Sequence, residues 1–141
     1  MTPLRVDIAV CTFRRQALDD TLASLAGLVV PEGVLLRIIV ADNDAEPSAR
    51  ERVDAARTDM PIDLVYVHCP AGNISIARNA CLDAADAHFL AFVDDDEIVE
   101  PLWLDRLLAE AEASDADVVL GPVQAVYAPE APGWMRRGDF H

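Results

Sequence analysis

Short apolar runs alternate along this chain with segments of helical periodicity, and this alternation limits the fold more than any other feature. The apolar runs that we expect to be strands are residues 5–11, 34–41, 62–68, 89–93 and 117–126. The helical patterns between them are residues 15–28, 47–57, 73–85 and 101–113. Because parallel strands need crossover connections, this repeat predicts an α/β fold, a mostly parallel sheet with helices on both faces.

The pattern inside the runs predicts where each strand lies. Residues 34–41 are almost all apolar, which is typical of a strand covered on both faces, whereas residues 62–68 alternate as a strand nearer the sheet edge does. Residues 128–141 show no clear periodicity. We therefore expect a single domain over residues 1–141, with a core at about 5–127 and an irregular tail at 128–141.

The charge balance excludes several classes of function. The 141 residues include 25 acidic and 11 basic ones, a formal net charge of −14, so nucleic acid and anionic membrane surfaces are poor partners. Every basic residue is an arginine. Without lysine there is no Schiff-base chemistry and no phosphate-binding loop lysine, and the acidic pocket of receiver domains, which relies on a lysine, is also excluded.

Cysteine use and the N-terminal sequence indicate a cellular compartment. Cys11, Cys69 and Cys81 are too few and too scattered for a disulfide framework or a CxxC zinc site, so we expect buried free thiols in a reducing environment. The sequence begins without the features of a secretory signal, and no apolar stretch approaches the roughly 20 residues of a membrane span. We expect a cytoplasmic protein.

Polar residues collect where the expected strands end. They lie at residues 11–14, 41–44, 68–73 and 94–97. In open parallel sheets, ligands bind at the carboxyl ends of the strands. The sequence therefore predicts a binding site at this edge of the sheet.

The acidic run Asp94–Glu97 directly follows a strand-like segment. Adjacent carboxylates repel one another unless a cation or hydrogen-bond donors are present, and their oxygens suit Mg²⁺ or Mn²⁺ holding a diphosphate. The alternatives are a solvated acidic loop or a helix cap before Pro101.

Five other residues at this edge have a structural interpretation that competes with a binding one. Asp42 could accept a hydrogen bond from a nucleobase N–H or a ribose hydroxyl, or it could cap a helix or form an Asx turn; for Asp44 we favour the turn. Arg78, expected three turns into the helix that follows Gly72, could reach a base or a phosphate, although a helical arginine is usually a surface ion-pair partner. His68 and Cys69 lack the second half of a metal site and are expected to pack at a strand end.

Four motifs in order carry a resemblance to a known family. They are IAVCTFRR at 8–15, VADN at 40–43, GNISIARN at 72–79 and FVDDDE at 92–97. Together they resemble the family 2 glycosyltransferases, inverting enzymes with the Rossmann-like GT-A fold, and especially the bacterial exopolysaccharide (succinoglycan-type) transferases. The resemblance covers about residues 5–134; each motif alone is weak, and the four in order are specific.

The resemblance implies a role for each matching residue. Thr12 and Phe13 match the turn that holds the nucleoside, Asp42 the aspartate that reads uracil, and Arg78 the arginine near the base and diphosphate. Asp94 and Asp96 match the ends of the DxD motif that ligates Mn²⁺ or Mg²⁺, with Asp94 facing the ribose or the metal. The whole set implied for nucleotide-sugar binding is Thr12, Phe13, Arg14, Asp42, Asn43, Gly72, Arg78, Asp94 and Asp95.

The implied activity is hexosyl transfer from a nucleotide-diphospho-sugar, expected to be a UDP-sugar, to a glycan or lipid-linked acceptor, with inversion, in polysaccharide biosynthesis. Such an enzyme would be cytoplasmic, with peripheral attachment to the inner face of the membrane. Inversion requires a carboxylate base, yet Glu130 and Asp139 are poorly placed for it. We therefore expect the base outside this chain and the chain to be a donor-binding portion, truncated at its C-terminus.

Two alternatives stay open. One is a non-catalytic GT-A-like module that needs the missing half or a partner, such as a second copy or a membrane-associated protein. The other is a different α/β enzyme with an acidic metal site, such as a phosphohydrolase. The second is disfavoured because its first strand would end in an aspartate nucleophile, where this chain has Cys11 and Thr12.

Overall fold

The computed structural model describes residues 1–138 and contains one sheet of four parallel strands. The strands are β1 (Leu4–Thr12), β2 (Val34–Asp42), β3 (Asp63–His68) and β4 (Phe89–Asp94). Their order is β3-β2-β1-β4, so the chain runs outward from β1 to β3 and then returns to the other side of β1. This reversal makes the carboxyl ends of β1 and β4 the topological switch point, where open α/β sheets bind ligands.

The described residues also form five helices. They are α1 (Leu18–Ala26), α2 (Arg50–Ala56), α3 (Ile74–Ala84), α4 (Trp103–Ser114) and α5 (Gly133–Gly138). Alternate residues of each strand point to opposite faces. One face packs with α1 and α2 and the other with α3, in clusters that include Ile8 and Val10 on the first face and Ala9 and Cys11 on the second. Burial on both faces explains why the central strands are apolar without alternation.

The expected elements are confirmed for the first four strands and four helices, with ends that differ by at most three residues. The edge position of β3 is also confirmed. At α3 the sequence contains its own start signal, since the Asn73 side chain accepts hydrogen bonds from the backbone N–H groups of Ser75 (2.9 Å) and Ile76 (3.3 Å).

Two expectations about the C-terminal part are wrong. Residues 118–128 form neither strand nor helix. A strand exists only when a neighbour pairs with it, and Pro122 removes one of the donors such pairing needs; the Val118, Leu120 and Val126 side chains are exposed instead. The tail that we expected to be irregular contains α5, whose six residues are too few to show a helical period.

The chain divides into two compact units, Met1–Asp105 and a second one that begins at Arg106. The sheet and the first three helices belong to the first unit. The expectation of a single domain over residues 1–141 stays a prediction. Within residues 1–138, no helix has the length and apolar character that a membrane span requires.

A partly buried ion pair, in which the carboxylate is the buried partner, joins β1 to β2 on the face that packs with α3. Asp7 lies directly opposite Arg37 in the strand register, and the guanidinium donates two hydrogen bonds to the carboxylate, of 2.9 and 2.7 Å. Arg37 also donates to the carbonyl of Ala84, and the backbone N–H of Asp86 donates to Asp7. The pair thus fastens the end of α3 to the sheet. Burial opposes ionisation of Asp7, but these hydrogen bonds outweigh it and hold the pKa of the carboxyl below its ordinary value.

All three cysteines are free thiols. Cys11 and Cys81 are buried between β1 and α3 with their Sγ atoms 3.9 Å apart, and Cys69 is partly buried. The hydrogen bond with Cys11, together with burial, raises the pKa of Cys81. The expectation of buried thiols is therefore confirmed for two of the three.

Candidate functional site

The carboxyl ends of β1 and β4 are fastened to each other. Cys11 and Asp94 are paired in the strand register, and one residue further on the Thr12 hydroxyl donates a 2.8 Å hydrogen bond to the carboxylate of Asp95. Both Thr12 and Asp95 are buried. This contact joins the first predicted motif to the last at the topological switch point.

The acidic run is divided by this contact. Asp95 turns inward, whereas the Asp94 and Asp96 side chains remain 61% and 50% exposed. Glu97 closes the turn, because its carboxylate accepts from the backbone N–H of Asp94 at 2.9 Å. The run is therefore an ordered turn that presents two carboxylates outward, and a uniformly solvated acidic loop does not describe it.

Two arginines face these carboxylates. Arg15 lies 3.2 Å from Asp96 and 3.6 Å from Asp95, and Arg78 lies 3.6 Å from Asp94. Arg78 is the fifth residue of α3, nearer the helix start than we expected. Arg15 is not among the predicted site residues, although it closes the IAVCTFRR segment. The sequence feature that could have indicated Arg15 is a second arginine directly after Arg14, just beyond the end of β1, the strand that pairs with β4.

Asp42 lies beneath this edge and is 0% exposed. Its carboxylate accepts from the backbone N–H groups of Asp44 (3.2 Å) and Ala49 (2.8 Å) and from the hydroxyl of Tyr66 (2.7 Å). Burial and the contact with Asp42 raise the pKa of Tyr66. These contacts are those of the Asx-turn alternative, so in this arrangement Asp42 shapes the floor of the site. Its role in reading uracil stays a prediction.

Asp44 makes an ion pair, which the expectation of a simple turn residue missed. It is buried, and Arg14 donates to both of its carboxylate oxygens, at 2.8 and 2.9 Å. These hydrogen bonds lower the pKa of Asp44 to about 2. The Arg14 guanidinium also lies 5.3 Å from the ring centroid of Phe13, which is half exposed.

Asn43 and Gly72 join the end of β2 to the turn before α3. The side-chain oxygen of Asn43 accepts a hydrogen bond from the backbone N–H of Asn73 at 3.0 Å. The backbone carbonyl of Asn43 accepts one from the N–H of Gly72 at 3.1 Å. Gly72 has a φ of +57°, a left-handed conformation that favours glycine. His68 bonds to the carbonyl of Asp44 at 2.9 Å, which agrees with the packing role expected of it.

The donor set fits a divalent ion of a particular kind. Within residues 1–138, no three His, Cys, Asp or Glu side chains are grouped so that they could hold a metal ion. Asp94 and Asp96 nevertheless present two exposed carboxylates, and Mg²⁺ characteristically binds one or two carboxylates together with substrate phosphates and water. The residues therefore fit an ion shared with a phosphate ligand and do not form a cage of their own.

Neither carboxylate considered as a general base can be assigned that role. Glu130 lies at an exposed turn of the second unit, and Asp139 lies outside the described residues.

A comparison of sequences decides the family. The sequence profile described as Glycosyl transferase family 2 matches residues 7–139. The chain belongs to this family. A curated family relative, the succinoglycan biosynthesis protein ExoM of Rhizobium meliloti (strain 1021), is 61% identical over 138 residues, which are 98% of this chain and 45% of ExoM. The chain therefore spans less than half the length of that relative.

Solved structures share the fold at low identity. S. aureus TarS 1–349 in complex with UDP-GlcNAc matches with a TM-score of 0.76 and 22% identity, over 94% of this chain and 38% of that one. The mannosyltransferase PcManGT from Pyrobaculum calidifontis, in complex with GDP-Man and Mn²⁺, matches with a TM-score of 0.66 and 21% identity, over 90% of this chain and 36% of that one. The α/β fold of Rossmann-like GT-A type is thus confirmed.

Proposed function

We propose that this family 2 chain is the donor-binding portion of a glycosyltransferase that transfers a hexosyl group with inversion from a UDP-sugar to a glycan or lipid-linked acceptor in polysaccharide biosynthesis. The observation that carries the proposal is the hydrogen bond between Thr12 and Asp95 at the switch point, which leaves Asp94 and Asp96 exposed beside it. ExoM, which is 61% identical, is a succinoglycan biosynthesis protein, and this supports the proposed pathway class.

The charges explain how an acidic chain could bind an anionic donor. Asp94 and Asp96 would hold Mn²⁺ or Mg²⁺, and a bound divalent ion would neutralise charge on the departing nucleoside diphosphate. The same ion would separate the carboxylates from the diphosphate. Arg78 and Arg15 already lie against the run, so their guanidinium groups would then be near the phosphates.

The nucleotide and the metal are tested together by calorimetry on the chain as it stands. We expect UDP to bind with Mn²⁺ or Mg²⁺ present and to bind at least tenfold more weakly after chelation, because the net charge of −14 opposes the bare anion. GDP serves as the competing nucleotide, since the structural relatives include complexes with both UDP-GlcNAc and GDP-Man. The absence of metal-dependent binding by any nucleoside diphosphate would refute the proposal.

A second candidate is a GT-A-like nucleotide-binding module that works only with a partner. It is favoured by the apolar side chains exposed along residues 118–126, among them Leu120 and Val126. Such surface usually marks an association site. On this hypothesis, light scattering after gel filtration gives a molar mass above the 15.3 kDa of one chain; a monomer at micromolar concentration argues against self-association as the means of covering it.

A further inference from the structure

Arg14 and Arg15 are adjacent in sequence but extend to opposite sides of β1. Arg14 pairs with Asp44, just beyond the end of β2, whereas Arg15 faces Asp95 and Asp96, just beyond the end of β4. Because β2 and β4 flank β1, they lie two strand spacings apart, roughly 10 Å. The edge of the sheet thus has two chemically different halves.

Arg14 is held in place by more than its own backbone preference. Its φ of +52° is in the left-handed region, which a residue with a side chain adopts only when its surroundings hold it there. The two hydrogen bonds to Asp44 provide that hold. Asp44 is fixed in turn, since its N–H donates to Asp42 and its carbonyl contacts His68. The guanidinium is therefore pre-oriented before any ligand arrives.

The charge of this pair indicates which part of a nucleotide it suits. Asp44 offsets the positive charge of Arg14, so the pair attracts a diphosphate weakly. The bidentate contact uses Nε and Nη2, and the Arg14 side chain remains 63% exposed beside the half-exposed Phe13 ring. A fixed, planar, nearly neutral group suits the face or the carbonyl oxygens of a nucleobase. The β4 half, with its exposed carboxylates and Arg15, suits a metal-bound diphosphate.

We infer that Asp44 is a positioning residue that holds Arg14 for recognition of the nucleobase, and not of the diphosphate. The inference rests on the proposed function, because it assumes that a nucleoside diphosphate lies along this edge. A ribose then separates the two halves of the ligand, as β1 separates the two halves of the site. The low pKa of Asp44, about 2, means that the pair stays ionised throughout the pH range of a binding experiment.

The test compares UDP with inorganic pyrophosphate, both with Mg²⁺, by calorimetry. We expect Asp44→Asn and Arg14→Lys each to weaken UDP binding about tenfold and to leave pyrophosphate binding within about twofold. Lysine keeps the charge but cannot form the planar two-point contact, so a residue that served only as a phosphate cation would tolerate it. The matched control is Asp86→Asn, which breaks the exposed pair with Arg5 and should change neither affinity.

Each other outcome has a definite meaning. Equal weakening of UDP and pyrophosphate, or unchanged UDP binding, overturns the inference while the proposed function stands. If the unaltered chain binds neither ligand, the proposed function itself fails and takes the inference with it. Thermal melting identifies a variant that has lost its fold; Arg14→Lys, which keeps a cation beside Asp44, then provides the same comparison in a folded chain.

Discussion

Replacing Asp96 with alanine is expected to abolish the metal-dependent binding of UDP, with a loss in affinity of more than about 100-fold. Asp96 lies two residues beyond the end of β4, its carboxylate is half exposed, and with Asp94 it forms the pair that fits a shared divalent ion. With one of two protein ligands removed, the ion would no longer be held at the site, and the net charge of −14 would then oppose the UDP anion. Calorimetry with UDP in saturating Mn²⁺ measures the effect.

The matched control for this change is Asp54→Ala. The Asp54 side chain lies on α2, pairs with Arg57 and is 49% exposed, almost the same as Asp96. Both substitutions remove one negative charge, so any effect of net charge is shared. If Asp96→Ala binds UDP in Mn²⁺ with an affinity within about threefold of that of the unaltered chain, the assignment of Asp96 as a metal ligand is wrong.

The same experiment without metal separates two roles of Asp96. In the structure its carboxylate also faces Arg15, at 3.2 Å. Removing it frees that guanidinium, so if Asp96 only offset positive charge, the bare UDP anion would bind more tightly in the variant. If Asp96 both holds the ion and pairs with Arg15, Asp96→Ala should bind UDP more weakly than the unaltered chain with Mn²⁺ and more tightly than it after chelation.

The sheet and the edge that carries the site could be predicted because both depend on local patterns. A strand buried on two faces is a continuous apolar run, and the polar residue that follows it marks the carboxyl end, as at Thr12, Asp42 and Asp94. The start of α3 is equally local, because Asn73 caps its own helix. Residues 118–126 had the same local pattern but no strand neighbour to complete it, and the pattern alone gave the wrong result.

The partners of the charged residues could not be predicted, since they depend on register. The two residues of an ion pair are 30 positions apart in sequence, both for Asp7–Arg37 and for Arg14–Asp44. The hydrogen bond from Thr12 to Asp95 spans 83 positions. A shift of one residue in the pairing of two strands would send each side chain to the other face. The same limit applies to Asp42, whose complete burial depends on Tyr66 in β3 and on the start of α2.

Replacing Arg37 with methionine is expected to lower the free energy of unfolding by about 3 kcal/mol at pH 7. Asp7 is 3% exposed, so loss of the two guanidinium hydrogen bonds leaves a buried carboxylate without a counter-ion. Methionine retains an apolar side chain of similar reach, which limits the loss of packing. Denaturant unfolding followed by circular dichroism measures the change, and Arg5→Met, which breaks an exposed pair on the same strand, should cost far less.

The pH dependence identifies the cause of that loss. In the unaltered chain the folded pKa of Asp7 is below its ordinary value, so the pair contributes stability above about pH 4, the unfolded pKa, and this is lost as pH falls through the folded pKa. In Arg37→Met the two Arg37 hydrogen bonds no longer oppose burial, and the backbone hydrogen bond from Asp86 and the more distant Arg5 are left to do so. We expect burial then to raise the folded pKa of Asp7 above its ordinary value, so that protonation relieves the cost as pH falls. The difference in free energy of unfolding between the two proteins should therefore be constant above the raised folded pKa of the variant, shrink as pH falls through that pKa, and be small once pH is below the folded pKa of the unaltered chain. A pH-independent difference would mean that Arg37 stabilises the sheet through its packing and not through the charge of Asp7, and the double variant Asp7→Asn with Arg37→Met would then be no more stable than Arg37→Met alone.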